Sequence, residues 1–166
     1  MHGANRTGRP FTGDYAGILL YRTLHKFGFA NHDGSDDPGD GLNLTGCRVT
    51  NAVKCLPPQN KPAPAEVRRC NGFLASELAE VRPRAVLALG AVAHRAVLLA
   101  LGLVASEYPF RHRAAYDMPP VVHEWKGARL FSSYHCSRYN TQTKRLSAAM
   151  FEAVFRDIRA FLHRSR

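Results

Sequence analysis

No apolar run in this chain approaches the roughly 20 residues that span a bilayer, so the sequence offers no membrane-crossing segment. Met1-His2-Gly3-Ala4 has neither the charged nor the apolar region of a signal peptide, and the expectation is a cytoplasmic protein. C-x-x-C pairs are missing, which weighs against a Cys/His zinc module. In a reducing compartment the four cysteines read as ligands or thiols rather than disulfides. There is no internal repeat and no low-complexity tract. Residues 31–46, NHDGSDDPGDGLNLTG, carry aspartates in D-x-D-like spacing but lack the twelfth-position Glu of a calcium loop, so they read as a solvated surface loop. Acidic residues are scarce as well: 13 Asp+Glu stand against 23 Lys+Arg, for a net charge of +10. Such an excess favours a polyanionic partner, because each phosphate neutralised releases counterions.

What is present suits a single domain over residues 1–166, with 45% hydrophobic residues to build its core. Asp14 stands where an apolar helical pattern begins (Ile18, Leu19, Leu20, Leu24, Phe27), with Gly28 as its stop. Val49 to Val53 reads as a short strand that delivers Asn51, whose amide is a fixed donor/acceptor pair for a flat ligand. Pro57, Pro58, Pro62 and Pro64 then exclude helix interior, and a helix is predicted from about Ala63 to Val81. A strand at Ala85–Leu89, a helix at Ala91–Leu101 and a strand at Leu130–Tyr134 complete a strand–helix alternation. That order argues for an α/β fold with a parallel sheet. Residues 105–128 are less regular. Ser147 caps a last helix whose Met150, Phe151, Val154, Phe155, Ile158, Phe161 and Leu162 form one apolar stripe, a core face.

Polar side chains at strand ends are where ligands bind in open α/β sheets, and both Asn51 and His135 are predicted there. The stretch CSRYNTQTKRLS after His135 is polar and basic, with Arg138, Lys144 and Arg145 around Tyr139, a mix suited to phosphates and an unstacked base. Near the N-terminus, glycines, arginines and Asn5 make a loop able to approach a phosphate backbone. Phe11 is the aromatic of that loop and serves equally as a stacking platform or as an anchor to the core.

Four motifs, GANRTGRPFTGD, TNAVKC-x-PP-x-NKP followed by Cys70, LALG-x-x-AH and SYH-x-SR-x-NT-x-T, occur in the order of the family 5 uracil-DNA glycosylases. The chain resembles that family from Gly3 to the last helix, and the iron-sulfur family 4 enzymes more distantly. The resemblance implies a three-layer α/β/α fold around a four-stranded parallel sheet. It implies excision of uracil, or of hypoxanthine or xanthine, from DNA in base-excision repair by a monomer. Phe11 would stack on the flipped base, Asn51 would read its edge, Asp14 would position or activate water, and His135 would support charge on the departing base. Arg138, Tyr139 and Arg145 would grip DNA and fill the vacated stack. Cys55 and Cys70 match two of four ligands of a 4Fe-4S cluster.

In the family a strand with a C-x-x-C pair precedes the HGANRTG motif, whereas this chain opens on Met1-His2. The expectation is therefore an N-terminally truncated domain with an incomplete cluster. Cys47 and Cys136 are not at matching positions, Cys136 stands where the family has proline, and Lys144 stands where it usually has glycine. The alternative to the enzyme is a truncated, non-catalytic DNA-binding relative.

Overall fold

The computed structural model describes residues 7–54, 63–119, 125 and 127–164. It resolves into two compact units, Met1–Thr50 with His135–Arg166, and Asn51–Tyr134.

In the first unit, α1 spans Tyr15–Lys26 and α5 spans Ala148–Arg164, with the short α4 at Arg138–Gln142. Helix α1 stops as its sequence suggests: Gly28 takes φ +71° and the Phe29 N–H returns to the Leu24 carbonyl at 2.8 Å. The positive φ is what asks for glycine here, and the Gly28 backbone packs close to the Arg159 guanidinium of α5, the movable tip of a long side chain. That guanidinium donates to the Phe27 carbonyl and lies 4.2 Å over the Phe29 ring. Ser147 accepts the Met150 N–H at the start of α5, as predicted. Phe151, Val154, Phe155 and Ile158 of the expected stripe are buried. Phe155 is the hub, with ring centroids at 5.2 Å from Phe151, 5.6 Å from Phe27 and 6.4 Å from Phe29.

The second unit contains α2 (Pro64–Val81), β1 (Ala85–Leu89), α3 (Ala91–Ala100), β2 (Ala115–Asp117) and β3 (Arg129–Ser133). Helix α2 starts on a proline, and Glu66 reaches back to the Ala63 N–H at 2.7 Å. Strands β1 and β3 pair in parallel, from Ala85 opposite Arg129 to Leu89 opposite Ser133. The α/β class is borne out. Among the described residues, however, the sheet has three strands in the order β1-β3-β2, and β2 runs antiparallel to β3. Strand β2 lies in the irregular stretch and is too short to show a period.

Val49–Val53 is not a strand. A strand exists only through a partner's backbone, and none of the described strands pairs with it. The core of this unit gathers Leu74, Leu78, Ala88, Val97, Leu98 and Leu130. Buried Asn71 fastens α2 to α3 through the Ala96 carbonyl at 2.8 Å. His94, from the LALG-x-x-AH motif, is also buried and satisfied. Its Nε2–H donates to the Tyr108 carbonyl at 2.7 Å, and its Nδ1 hydrogen-bonds the Ser132 hydroxyl at 2.8 Å. That histidine ties the 105–110 stretch to β3. Among the described residues, no helix is long and apolar enough to cross a membrane.

Phe155→Ala should cost about 3–5 kcal/mol, the range for emptying a buried aromatic site. Urea unfolding checks this; a loss below about 1 kcal/mol would mean the four-ring cluster does not hold the first unit together.

Candidate active site

The loop from Arg9 to Asp14 is built to hold Phe11 in a pose that a phenylalanine does not choose freely. Phe11 has φ +61°, in the left-handed region where a Cβ crowds the backbone. Three sets of contacts fix it there. The Tyr21 hydroxyl, on the buried face of α1, donates to the Pro10 carbonyl at 2.6 Å. Arg9 donates through Nε to the Thr12 hydroxyl at 2.8 Å and through its Nη2 to the Asp40 carboxylate at 2.7 Å and the Asp37 carbonyl. The Thr12 and Ser35 hydroxyls meet at 2.6 Å, and the Gly13 N–H donates to the Ser35 carbonyl at 2.8 Å. The Arg9 guanidinium beside Asp40 holds its carboxyl well below the usual carboxylate range.

Residues 33–40 are therefore a clamp, not simply a solvated loop, and Ser35 in it is buried. Arg9 serves that clamp rather than a phosphate. Sequence reasoning missed Arg9, Thr12, Ser35 and Asp40 as a set, and no spacing in the chain links them. A glycine completes the arrangement. At Gly17, on α1, a Cβ would be driven into the Phe11 carbonyl, so the helix can accept the loop only without a side chain there.

The clamped ring lies against His135, centroid to centroid 5.8 Å and tilted by 34°. Two predicted site residues far apart in sequence thus meet. Burial lowers the His135 pKa from its ordinary 6.5, so at neutral pH the ring is uncharged and offers one N–H donor. Asp14 occupies the N-cap position of α1, yet its carboxylate makes no cap hydrogen bond. It follows Phe11 by three residues in the same clamped loop. Asn51 opens the second unit, half-buried in irregular chain.

After His135 the chain forms the short α4 where a basic loop was predicted, because Ser137 accepts the Asn140 N–H and starts a turn. Asn140 Nδ2 returns to the His135 carbonyl at 2.9 Å, and buried Leu146 anchors the far end through the Asn140 carbonyl. Tyr139 projects with 69% of its surface exposed, and Arg138 and Arg145 are exposed. Lys144 has φ +58°, which gives a physical reason for the glycine that the family usually carries there.

The cysteines do not form a cluster site among the described residues. No three His, Cys, Asp or Glu converge as ligands there. Cys55 lies outside the described residues, and Cys70 is buried on α2. Burial raises the Cys47 thiol and pushes Cys136 up to about 12, so both are held as thiols rather than thiolates. Cys47 Sγ instead approaches the Phe29 carbonyl at 3.5 Å. A four-thiolate donor set for iron-sulfur is not met by these residues.

The model of the uracil DNA glycosylase superfamily matches residues 1–159. The type-5 uracil-DNA glycosylase of Thermus thermophilus is 47% identical over 154 residues, covering 92% of this chain and 67% of that protein. The type-5 enzyme of Pyrobaculum aerophilum is 41% identical over 155 residues, covering 93% and 65%. A type-4 uracil-DNA glycosylase of Thermotoga maritima is 36% identical over 90 residues, covering 54% and 40%. The chain belongs to the uracil-DNA glycosylase superfamily, in its type-5 branch, and spans about two thirds of the length of these type-5 relatives.

Because His135 binds its proton at lower pH when folded, the unfolded chain takes up more protons as pH falls through the ordinary histidine range. Stability should therefore decline from above pH 6.5 downward, and the decline should be shallower in His135→Gln. Urea midpoints across that range decide it; identical slopes in the two proteins would mean that His135 is not buried as a neutral ring.

Proposed function

We propose that this chain hydrolyses the N-glycosidic bond of uracil in DNA, as a monomeric base-excision repair enzyme of the cytoplasm. Hypoxanthine and xanthine are further substrates in this reading. The observation that carries it is the Phe11 ring, held in a left-handed backbone pose against a half-buried, neutral His135. A flat apolar face beside an uncharged donor suits a flipped base that must leave as an anion.

In the reaction, a water oxygen adds to C1′ of the deoxyribose while the bond from C1′ to the base nitrogen breaks and its electron pair goes to the base. Asp14 positions that water and takes its proton. His135 donates its N–H to the charge growing on the base. A neutral donor suffices because it strengthens as charge develops, and burial raises the value of each such contact. Phe11 stacks on the base and Asn51 reads its edge through paired donor and acceptor. Arg138 and Arg145 take phosphates, and Tyr139 fills the stack that the base has left.

A 4Fe-4S cluster in this reading would take Cys55 and Cys70 as two of its ligands and would serve structure, with no step of the reaction passing through it. Cys47 and Cys136 do not stand at positions that match the other two ligands: Cys47 precedes the Asn51 segment and Cys136 directly follows His135.

Single-turnover excision from a uracil-containing duplex tests the proposal. His135→Ala should slow it on the order of 10²–10³-fold, the cost of one preorganised donor, with DNA affinity nearly unchanged. Asn51→Ala should reduce discrimination between uracil and cytosine, since a polar edge left unpaired no longer rejects the wrong base. Tight DNA binding without excision by the unmodified chain would favour the non-catalytic relative instead.

A further inference from the structure

Helix α1 turns one face outward that neither the core nor the base platform uses. Tyr15 is 45% exposed, Ile18 is exposed one turn on, and Arg22 follows on the same side. Core packing does not account for an aromatic and a large aliphatic side chain left outside at that spacing. Over the Tyr15 ring sits the guanidinium of Arg138, 5.6 Å from the ring centroid, brought there by α4. Tyr139, the next residue, is the most exposed large hydrophobic side chain among the described residues.

Beyond Asp14, which immediately precedes Tyr15, the two stretches that supply this pair carry charge of one sign. From Tyr15 to Lys26 there is no acidic residue, and from Cys136 to Ser147 there is none either. An anion is therefore the fitting partner, and continuity with Tyr139 and Arg145 makes that anion a DNA phosphate. The form of the pairing matters. A guanidinium over an aromatic face uses its π surface, so its N–H donors remain in the plane, pointing outward, in the fork that matches phosphate oxygens. A carboxylate partner would consume those donors and cancel the charge.

We propose that Tyr15 is a positioning residue that holds Arg138 in place for a phosphate of the bound DNA strand. It acts through Arg138 and touches no reacting atom. The inference rests on the reading of this chain as a DNA-binding glycosylase, and it adds α1 to the DNA-facing surface.

The test is the affinity for a uracil-free duplex at several salt concentrations, with single-turnover excision measured separately at saturating protein. Tyr15→Ala and Tyr15→Leu should each weaken binding about 2- to 5-fold, the value of one exposed cation–π contact. Tyr15→Phe, which keeps the ring, should bind within about twofold of the unmodified chain. Arg138→Ala should make the slope of log affinity against log salt shallower by about one unit. Adding Tyr15→Ala to Arg138→Ala should then cost nothing more. Additive losses in the double variant, or a Tyr15→Phe as weak as Tyr15→Ala, would overturn the positioning role. An Arg138→Ala with unchanged affinity would overturn it too, by removing the phosphate contact. Failure of the glycosylase reading is distinct: it appears as absent excision by the unmodified chain while these affinity differences persist.

Discussion

The strained backbone at Phe11 is the constraint on which the rest of the site depends. A left-handed phenylalanine costs on the order of 1–2 kcal/mol and persists only when its surroundings leave no alternative. Here they do so from three sides: the Tyr21 hydroxyl on Pro10, the Arg9–Thr12–Ser35–Asp40 network, and the bare backbone of Gly17. Relaxing Phe11 would turn its ring away from His135. The clamp therefore links a polar loop that looks dispensable, residues 33–40, to the placement of an aromatic face.

Much of the scaffold was legible in the chain because its signals are local. Helix α2 begins at Pro64 and β1 runs Ala85–Leu89, within a residue of expectation, since a proline start and an apolar run act over a few neighbours. The stripe of α5 and its Ser147 cap were equally readable. Val49–Val53 failed as a strand for the opposite reason, because a strand depends on backbone groups elsewhere in the sheet. Strand β2, three residues long, has too little sequence to show a period. In the site, Phe11 and His135 were singled out from loop composition and strand-end position, their roles came from the resemblance, and their ring contact relates them physically. The residues that hold them were not legible. Arg9 read only as one of the arginines in a loop able to approach a phosphate backbone, and the fold turns it inward to Thr12 and Asp40.

The excess of positive charge has a local counterpart. Helix α1 and the α4 region lack acidic residues altogether, so the field near Tyr139 is cationic without a compensating carboxylate in either stretch. Surface charge of one sign does little for folding, yet it concentrates a polyanion and speeds its arrival. Beside it, half-buried His135 and buried Cys136 stay uncharged. An exposed cationic stretch thus lies next in sequence to two side chains that burial keeps neutral.

The account turns on the preformed pose of Phe11, and Gly17→Ala addresses it without altering any group that would touch DNA. The measurement is single-turnover uracil excision by that variant, with its affinity for a uracil-free duplex and its melting curve taken in parallel. A methyl group at that position must push the Phe11 carbonyl off the helix. Excision should then slow on the order of 10²-fold, as expected for a displaced positioning surface, while duplex affinity is preserved. A folded Gly17→Ala that excises uracil at the unmodified rate would contradict the claim that this strained loop organises the site.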